Sequence, residues 1–187
     1  MKNLDDFSVL VLPGRDGSGA EHWQTLWEHA FPTFDRVEQL NWIQPVYADW
    51  ATNLSEAVNR APKPALLIGH SLGTSLTMRW AFDNPELAKR VAGAFLAAPS
   101  DRDVMEGKPD NPVRGFGPMI LERLPFPSVV LASRNDPLVT FARAQAFATA
   151  WGAHFVDAGA NGHLGSAANL GIWPLGLLAL GQFLELI

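Results

Sequence analysis

Short, continuously apolar runs alternate with longer stretches of helical periodicity along the chain. The runs at residues 7–12, 65–68, 91–97 and 128–132 consist almost wholly of aliphatic, aromatic and small side chains. Unbroken apolarity over so few residues marks a strand covered on both faces. Two more mixed runs, 36–40 and 154–157, complete a set of six expected strands. Between them the spacing predicts helices over 22–30, 53–60, 71–82, 141–151 and 174–187. Trp23 and Trp27, four residues apart on the first of these, read as core packing rather than as a ligand-binding pair. Strands alternating with helices predict an α/β protein with a mostly parallel sheet. One segment breaks the rhythm. Residues 99–127 contain Pro99, Pro109, Pro112, Pro118, Pro125 and Pro127 with Gly115 and Gly117, and only 119–123 could form a helical turn. A connection this long is usually functional or mobile, so it reads either as a solvated surface loop or as a short flap over a site.

Composition narrows the class. At roughly 150 residues per domain, 187 residues make one domain, 1–187. Hydrophobic residues are 48% and charged residues 18%, enough apolar surface for a sizeable core. The net charge is −5 and no basic run is present, which argues against a nucleic-acid surface. Without cysteine there is no disulfide framework, thiolate metal site or cysteine nucleophile. The opening Met1-Lys2-Asn3-Leu4-Asp5-Asp6 lacks the apolar run of a signal peptide. The apolar stretch 172–187 is interrupted by Pro174, Gln182 and Glu185, and falls short of the ~20 residues that cross a bilayer. A soluble, cytoplasmic protein with no membrane or nucleic-acid partner is expected, and no protein partner is inferable.

The chemistry starts at Gly69-His70-Ser71-Leu72-Gly73, a Gly-x-Ser-x-Gly directly after an apolar strand and directly before a helix. That context is a nucleophile elbow: the serine sits at the tip of a sharp, strained turn, flanked by glycines where side chains would collide. The helix start aims its first N–H groups, including that of Leu72, at a developing oxyanion. A serine so placed needs a base and an acid, in the chain order Ser, Asp or Glu, His. Of five histidines, His22 and His29 precede the serine, His70 lies inside the elbow, and His154 falls in a strand. His163, in the Gly-rich loop 158–165, remains as the base. Asp136, at the turn after the fifth strand, is favoured as the acid, with Asp157 as its rival and Asp101 and Asp103 farther back. The alternative for Asp136 is a plain turn or N-cap residue, because Asp-Pro is a turn signal, and the catalytic reading is preferred to it. The first loop, Pro13-Gly14-Arg15-Asp16-Gly17-Ser18-Gly19, fits neither phosphate-binding spacing, since its glycines stand at 14, 17 and 19 and Ala20 replaces the lysine. Such a loop supplies a second oxyanion N–H instead, and Arg15 is the candidate because Pro13 has none.

These elements resemble the α/β-hydrolase superfamily. Pro13-Gly14, Ser18, His22-Trp23-Gln24 with Trp27, Leu124-Pro125-Phe126-Pro127-Ser128, Ser133-Arg134-Asn135-Asp136-Pro137, Gly162-His163 and Gly171-Ile172-Trp173-Pro174 are similar to the retinoblastoma-binding-protein-9-like family of small serine hydrolases, in particular its bacterial members. The resemblance implies a triad of Ser71, Asp136 and His163 with no cofactor and no metal, and it fixes no substrate. Set against the superfamily fold, the chain lacks the N-terminal antiparallel pair, leaving a three-layer α/β/α sandwich of six strands in order 2-1-3-4-5-6. Its switch point lies between strands 1 and 3, where the first loop meets the elbow. A serine hydrolase acting on a small carboxylic ester or related acyl substrate is therefore expected. The other readings are a catalytically idle interaction protein on this scaffold, or an acyltransferase or lyase.

Overall fold

In the first apolar run alternate residues point to opposite faces of a sheet, and each face acquires its own core. Val9 and Val11 pack on one side with Leu66, Ile68, Trp23, Trp27 and Trp173, while Leu10 and Leu12 pack on the other with Leu67, Trp50, Leu76 and Trp80. The computed structural model describes residues 2–187; Met1, the first residue of the N-terminal stretch read above, lies outside them. Its strands are β1 (Ser8–Leu12), β2 (Phe34–Arg36), β3 (Ala65–His70), β4 (Val91–Ala97), β5 (Ser128–Ala132) and β6 (His154–Asp157). They form one six-stranded sheet in the order β2-β1-β3-β4-β5-β6, with every neighbouring pair parallel, as expected.

Helices α1 (Trp23–Ala30) and α7 (Pro174–Leu184) cover one face. The other carries α2 (Tyr47–Arg60), α3 (Leu72–Asp83), the single-turn α4 (Pro85–Ala88) and α6 (Phe141–Trp151). The architecture is a three-layer α/β/α sandwich with its chain reversal between β1 and β3. Among the described residues no helix is long and apolar enough to cross a membrane.

Several boundaries differ from the sequence reading, each for a tertiary reason. Strand β2 is Phe34–Arg36, not 36–40; pairing with β1 ends at Val11↔Arg36, and the chain then leaves the sheet with Leu40 exposed. Helix α2 begins at Tyr47 rather than 53, because its first turn is secured from outside. The Tyr47 N–H donates to the Arg114 carbonyl at 2.9 Å, and Trp50 packs edge-on to Phe116 at 5.4 Å. Residues 119–123 form no helical turn, and the one helix of this segment, α5 (Arg102–Met105), lies earlier, capped by the Asp101 carboxylate. Nor is the 99–127 segment merely a solvated loop. Val113, Phe116, Met119, Leu124 and Phe126 are buried in the core, and Arg143 on α6 pairs with Asp101 at 3.0 Å and Asp103 at 2.5 Å.

Where β3 gives way to α3, the helix passes so close to β1 that a Cβ on Gly73 would stand 2.0 Å from the Leu12 carbonyl oxygen. Gly73→Ala is expected to cost at least ~3 kcal/mol, since backbone rather than a flexible side chain would have to move. Gly19, with open space around it, tolerates alanine within ~0.5 kcal/mol. Urea unfolding of the two variants measures the contrast.

Candidate active site

Ser71 occupies the turn between β3 and α3 at φ 52, ψ −114, a backbone geometry that serine adopts only under constraint. Its N–H is held by the Ala97 carbonyl at 3.0 Å, and its own carbonyl accepts from the Thr74 N–H at 3.0 Å and the Thr74 hydroxyl at 2.6 Å. A Cβ on Gly14 would lie 2.9 Å from the Ser71 Cβ, so the first loop must carry glycine there. The turn Arg15–Gly17 is fastened beneath by Arg36, whose guanidinium donates to the Gly17 carbonyl at 2.6 Å and pairs with Glu28 at 2.9 Å. Among the described residues, no backbone carbonyl accepts from the Arg15 or Leu72 N–H, and both residues line a cavity of about 220 Å³ beside Ser71. Met105, Val113 and Leu138 add apolar walls, so the 99–127 segment contributes to the cavity directly.

His163 reaches Ser71 from the loop after β6. Its Nε2 stands 2.6 Å from the Ser71 Oγ, and its Nδ1 stands 2.8 and 3.0 Å from the two Asp136 oxygens. A carboxylate beside Nδ1 fixes the hydrogen there, which leaves Nε2 a bare acceptor for the Ser71 hydroxyl. The Asp136 side chain is fully buried (0% exposed) and also accepts from the Leu138 N–H at 2.8 Å. The structure thus brings Ser71, His163 and Asp136 into one hydrogen-bonded row.

Asp157 stands apart from that row. Its side chain is 35% exposed and engaged by Arg134 at 2.5 and 2.8 Å and by the Gly159 N–H at 2.9 Å. The Arg134 hydrogen bonds, then that of Gly159, hold its carboxyl below the usual range. Asp101 and Asp103 are committed to Arg143. His29 and His154 are exposed.

Several residues that join the site's parts were not assigned roles from sequence. Ser133 and Asn135 accept from the Asn161 and Gly162 N–H groups, each at 2.8 Å, and the Arg134 N–H donates to the Gly159 carbonyl at 2.7 Å. The loop bearing Asp136 therefore grips the loop bearing His163. Gln24 is wholly buried; it donates to the Leu12 carbonyl at 3.2 Å and the Ile68 carbonyl at 3.0 Å, and accepts from Ser18 at 2.7 Å. All four lie inside the motifs quoted above; Gln24 and Ser133 are polar at positions that an amphipathic helix and a strand-end bury, whereas Arg134 and Asn135 are exposed and carry no such signal.

His22, assigned to the first helix, instead caps it, accepting the Gln24 N–H at 3.1 Å. Its ring meets that of His70 at 4.6 Å, and His70 meets His163 at 5.2 Å. Burial, followed by the charges of Arg36 and His163, pulls His22 down to about 4. Burial, with His22 and His163 nearby, likewise holds His70 well below the ordinary value. Both imidazoles are neutral at pH 7. Among the described residues no three His, Asp or Glu side chains are grouped to hold a metal ion.

A doubly wound parallel sheet with serine at the elbow after its third strand is the α/β-hydrolase fold. The model of the serine hydrolase family matches residues 9–182, and the chain belongs to that family. A YdeN-like hydrolase from Pectobacterium atrosepticum is 32% identical over 97% of this chain and 92% of its own, with a TM-score of 0.85. The ydeN gene product of Bacillus subtilis is 18% identical over 96% and 99%, with a TM-score of 0.69. A hydrolase of the alpha/beta superfamily from Xanthomonas campestris is 20% identical over 96% and 97%, with a TM-score of 0.60. No curated protein matches the chain.

The depressed histidines set the acid stability. An unfolded His22 titrates near 6.5 and the folded one near 4, so between these values the unfolded chain binds more protons. Stability is complete above about pH 6.5 and falls as pH drops, by about 3 kcal/mol at pH 4 from His22 alone. His22→Asn keeps an acceptor for the Gln24 N–H and removes the titration. Urea unfolding at pH 7 and pH 5 should show a smaller difference in this variant than in the wild type.

Proposed function

We propose that the protein hydrolyses a carboxylic ester or a related acyl substrate through an acyl-enzyme on Ser71. The observation that carries this reading is the row Ser71 Oγ, His163 Nε2 at 2.6 Å and Asp136 Oδ2 at 2.8 Å from Nδ1. As Ser71 Oγ attacks the substrate carbonyl, its proton passes to His163 Nε2. Asp136, buried and facing Nδ1–H, keeps the tautomer and stabilises the imidazolium that forms. The carbonyl oxygen becomes an oxyanion held by the Leu72 and Arg15 N–H groups, which no backbone acceptor competes for. Collapse transfers the proton from His163 to the leaving group and leaves an ester on Ser71. Water, activated by the same imidazole, then releases the acid and restores the serine.

The cavity supports a small acyl portion. At about 220 Å³ it is of the same order as the ~150 Å³ apolar cavity that holds one benzene, so a few carbons fit against Met105, Val113 and Leu138. Across p-nitrophenyl esters, kcat/KM should be greatest between acetyl and hexanoyl and fall at least ~10-fold by dodecanoyl. A rising series would contradict the cavity argument.

The role of Ser71 is tested with a fluorophosphonate probe and an ester assay. Ser71→Ala should fold as the wild type, lose labelling and lose at least ~10³-fold in turnover. Near-wild-type hydrolysis by that variant removes Ser71 from the reaction, whereas a wild type that neither labels nor hydrolyses any ester is an idle interaction protein. Asp136→Asn should cost ~10²–10⁴-fold by destroying the tautomer preference, and Asp157→Asn less than ~10-fold. His163→Ala should abolish turnover and His29→Ala leave it unchanged. Because burial holds His22 down at about 4 and His70 well below its ordinary value, the acid limb of kcat/KM should fall with the slope of a single proton. A two-proton slope would place a second histidine in the reaction.

A further inference from the structure

His70 takes no part in the proton transfers above, yet its buried side chain (5% exposed) ends against the loop that carries His163. Its Nε2 lies 2.9 Å from the His163 backbone carbonyl. A carbonyl oxygen only accepts, so Nε2 holds the hydrogen and the neutral imidazole donates. One residue further on, the Leu164 carbonyl accepts the Trp23 indole N–H, also at 2.9 Å. Two consecutive carbonyls are therefore held by ring N–H groups, one from the elbow and one from α1.

Leu164 itself, fully buried, sits at φ 50 in the left-handed region, which a leucine rarely adopts. Such a conformation persists only where its surroundings over-determine it. From the opposite side the amides of Asn161 and Gly162 are held by Ser133 and Asn135. The amide bonds tie the loop to Asp136's turn, and the carbonyl bonds tie it to Ser71's turn and to α1.

We infer that His70, together with Trp23, is a positioning residue that clamps the backbone of the His163 loop and so sets the imidazole against Ser71. The adjacency of His70 to Ser71 in the chain gives the clamp its purpose: nucleophile and base are referenced to one turn. A core histidine that merely fills space would need its ring but not its N–H. The inference rests on the proposed role of His163 as base, and its test includes a readout independent of catalysis.

Two variants of similar length separate the N–H from the volume. His70→Gln presents an amide N–H where Nε2 lies, and His70→Met does not. With His70→Met, kcat should fall ~10- to 100-fold at a KM within about twofold of wild type, the scale of effect of a misplacement near 1 Å. His70→Gln should recover kcat to within about threefold. Amide exchange across 159–166, followed by mass spectrometry, should be several-fold faster in His70→Met and near wild type in His70→Gln. Unchanged exchange in His70→Met, or a His70→Gln variant as slow and as loose as His70→Met, overturns the clamp. If His70→Met does not fold, Trp23→Phe replaces it, deleting the second N–H while keeping an aromatic ring, and unchanged loop exchange there overturns the clamp. Fluorophosphonate labelling of Ser71 in the wild type reports separately on the hydrolase reading, so failure of the one is not read as failure of the other.

Discussion

The passage of α3 across the end of β1 leaves no room for a side chain at Gly73. That close approach governs the geometry of everything around Ser71. To enter the helix directly from β3, the chain must reverse within one residue, and Ser71 takes up the reversal at φ 52. The same crowding presses the first loop onto the elbow, so that Gly14 too has no space for a Cβ, here against Ser71 itself. In return, Arg15 and Leu72 come to line the same cavity as Ser71. A wider crossing would relax the strain and separate these residues. The strain at Ser71 and the convergence around it have one steric origin.

Around this crossing the interior is unusually polar. Gln24 donates its amide to the carbonyls of Leu12, the last residue of β1, and Ile68, inside β3. A buried unpaired carbonyl costs about 1–3 kcal/mol, so one glutamine from α1 satisfies acceptors on two neighbouring strands. The cluster of His22 and His70 is less completely satisfied: the His22 Nε2 is buried without a partner in the protein. Neutral imidazoles tolerate that position at neutral pH because burial has removed their charge, and the tolerance fails as acid restores it.

Much of this was legible from residues alone, and the boundary between what was and was not is physical. Strands buried on both faces announce themselves by unbroken apolarity, which is why residues 91–97 and 128–132 match β4 and β5 to the residue. The edge strand β2 has one neighbour and three residues, and its ends are set by pairing rather than by its own side chains. The start of α2 was hidden for a similar reason, since the partner of the Tyr47 N–H is Arg114, 67 residues away, in a segment without periodicity. That segment, dense in proline and glycine, gives its core residues at irregular intervals that neither a helical nor a strand template detects. In the candidate site, the Gly-x-Ser-x-Gly context singled out Ser71 and the loop composition His163, and the structure sets their side chains 2.6 Å apart. What no pattern encoded was the web of side chain to backbone bonds joining the loops, because such bonds leave no periodic trace.

The two aspartates show how that web places side chains that position along the chain leaves open. Asp136 and Asp157 follow adjacent strands, and Asp157 is even the closer to His163 in sequence, facing Ala132 in the β5–β6 register. Proximity therefore favours neither. Arg134 does. It lies on the Asp136 loop, but its guanidinium reaches across to Asp157 and draws that carboxylate outward to the rim, where solvent and a cation already satisfy it. The same residue's N–H holds Gly159 from below, so the two loops are joined at both ends of one arginine. With Asp157 so occupied, the remaining carboxylate, Asp136, faces the imidazole from a site sealed against water, where a charge has strong reason to keep a hydrogen-bond donor beside it. Which carboxylate lies beside the imidazole thus follows from what its rival is already bound to.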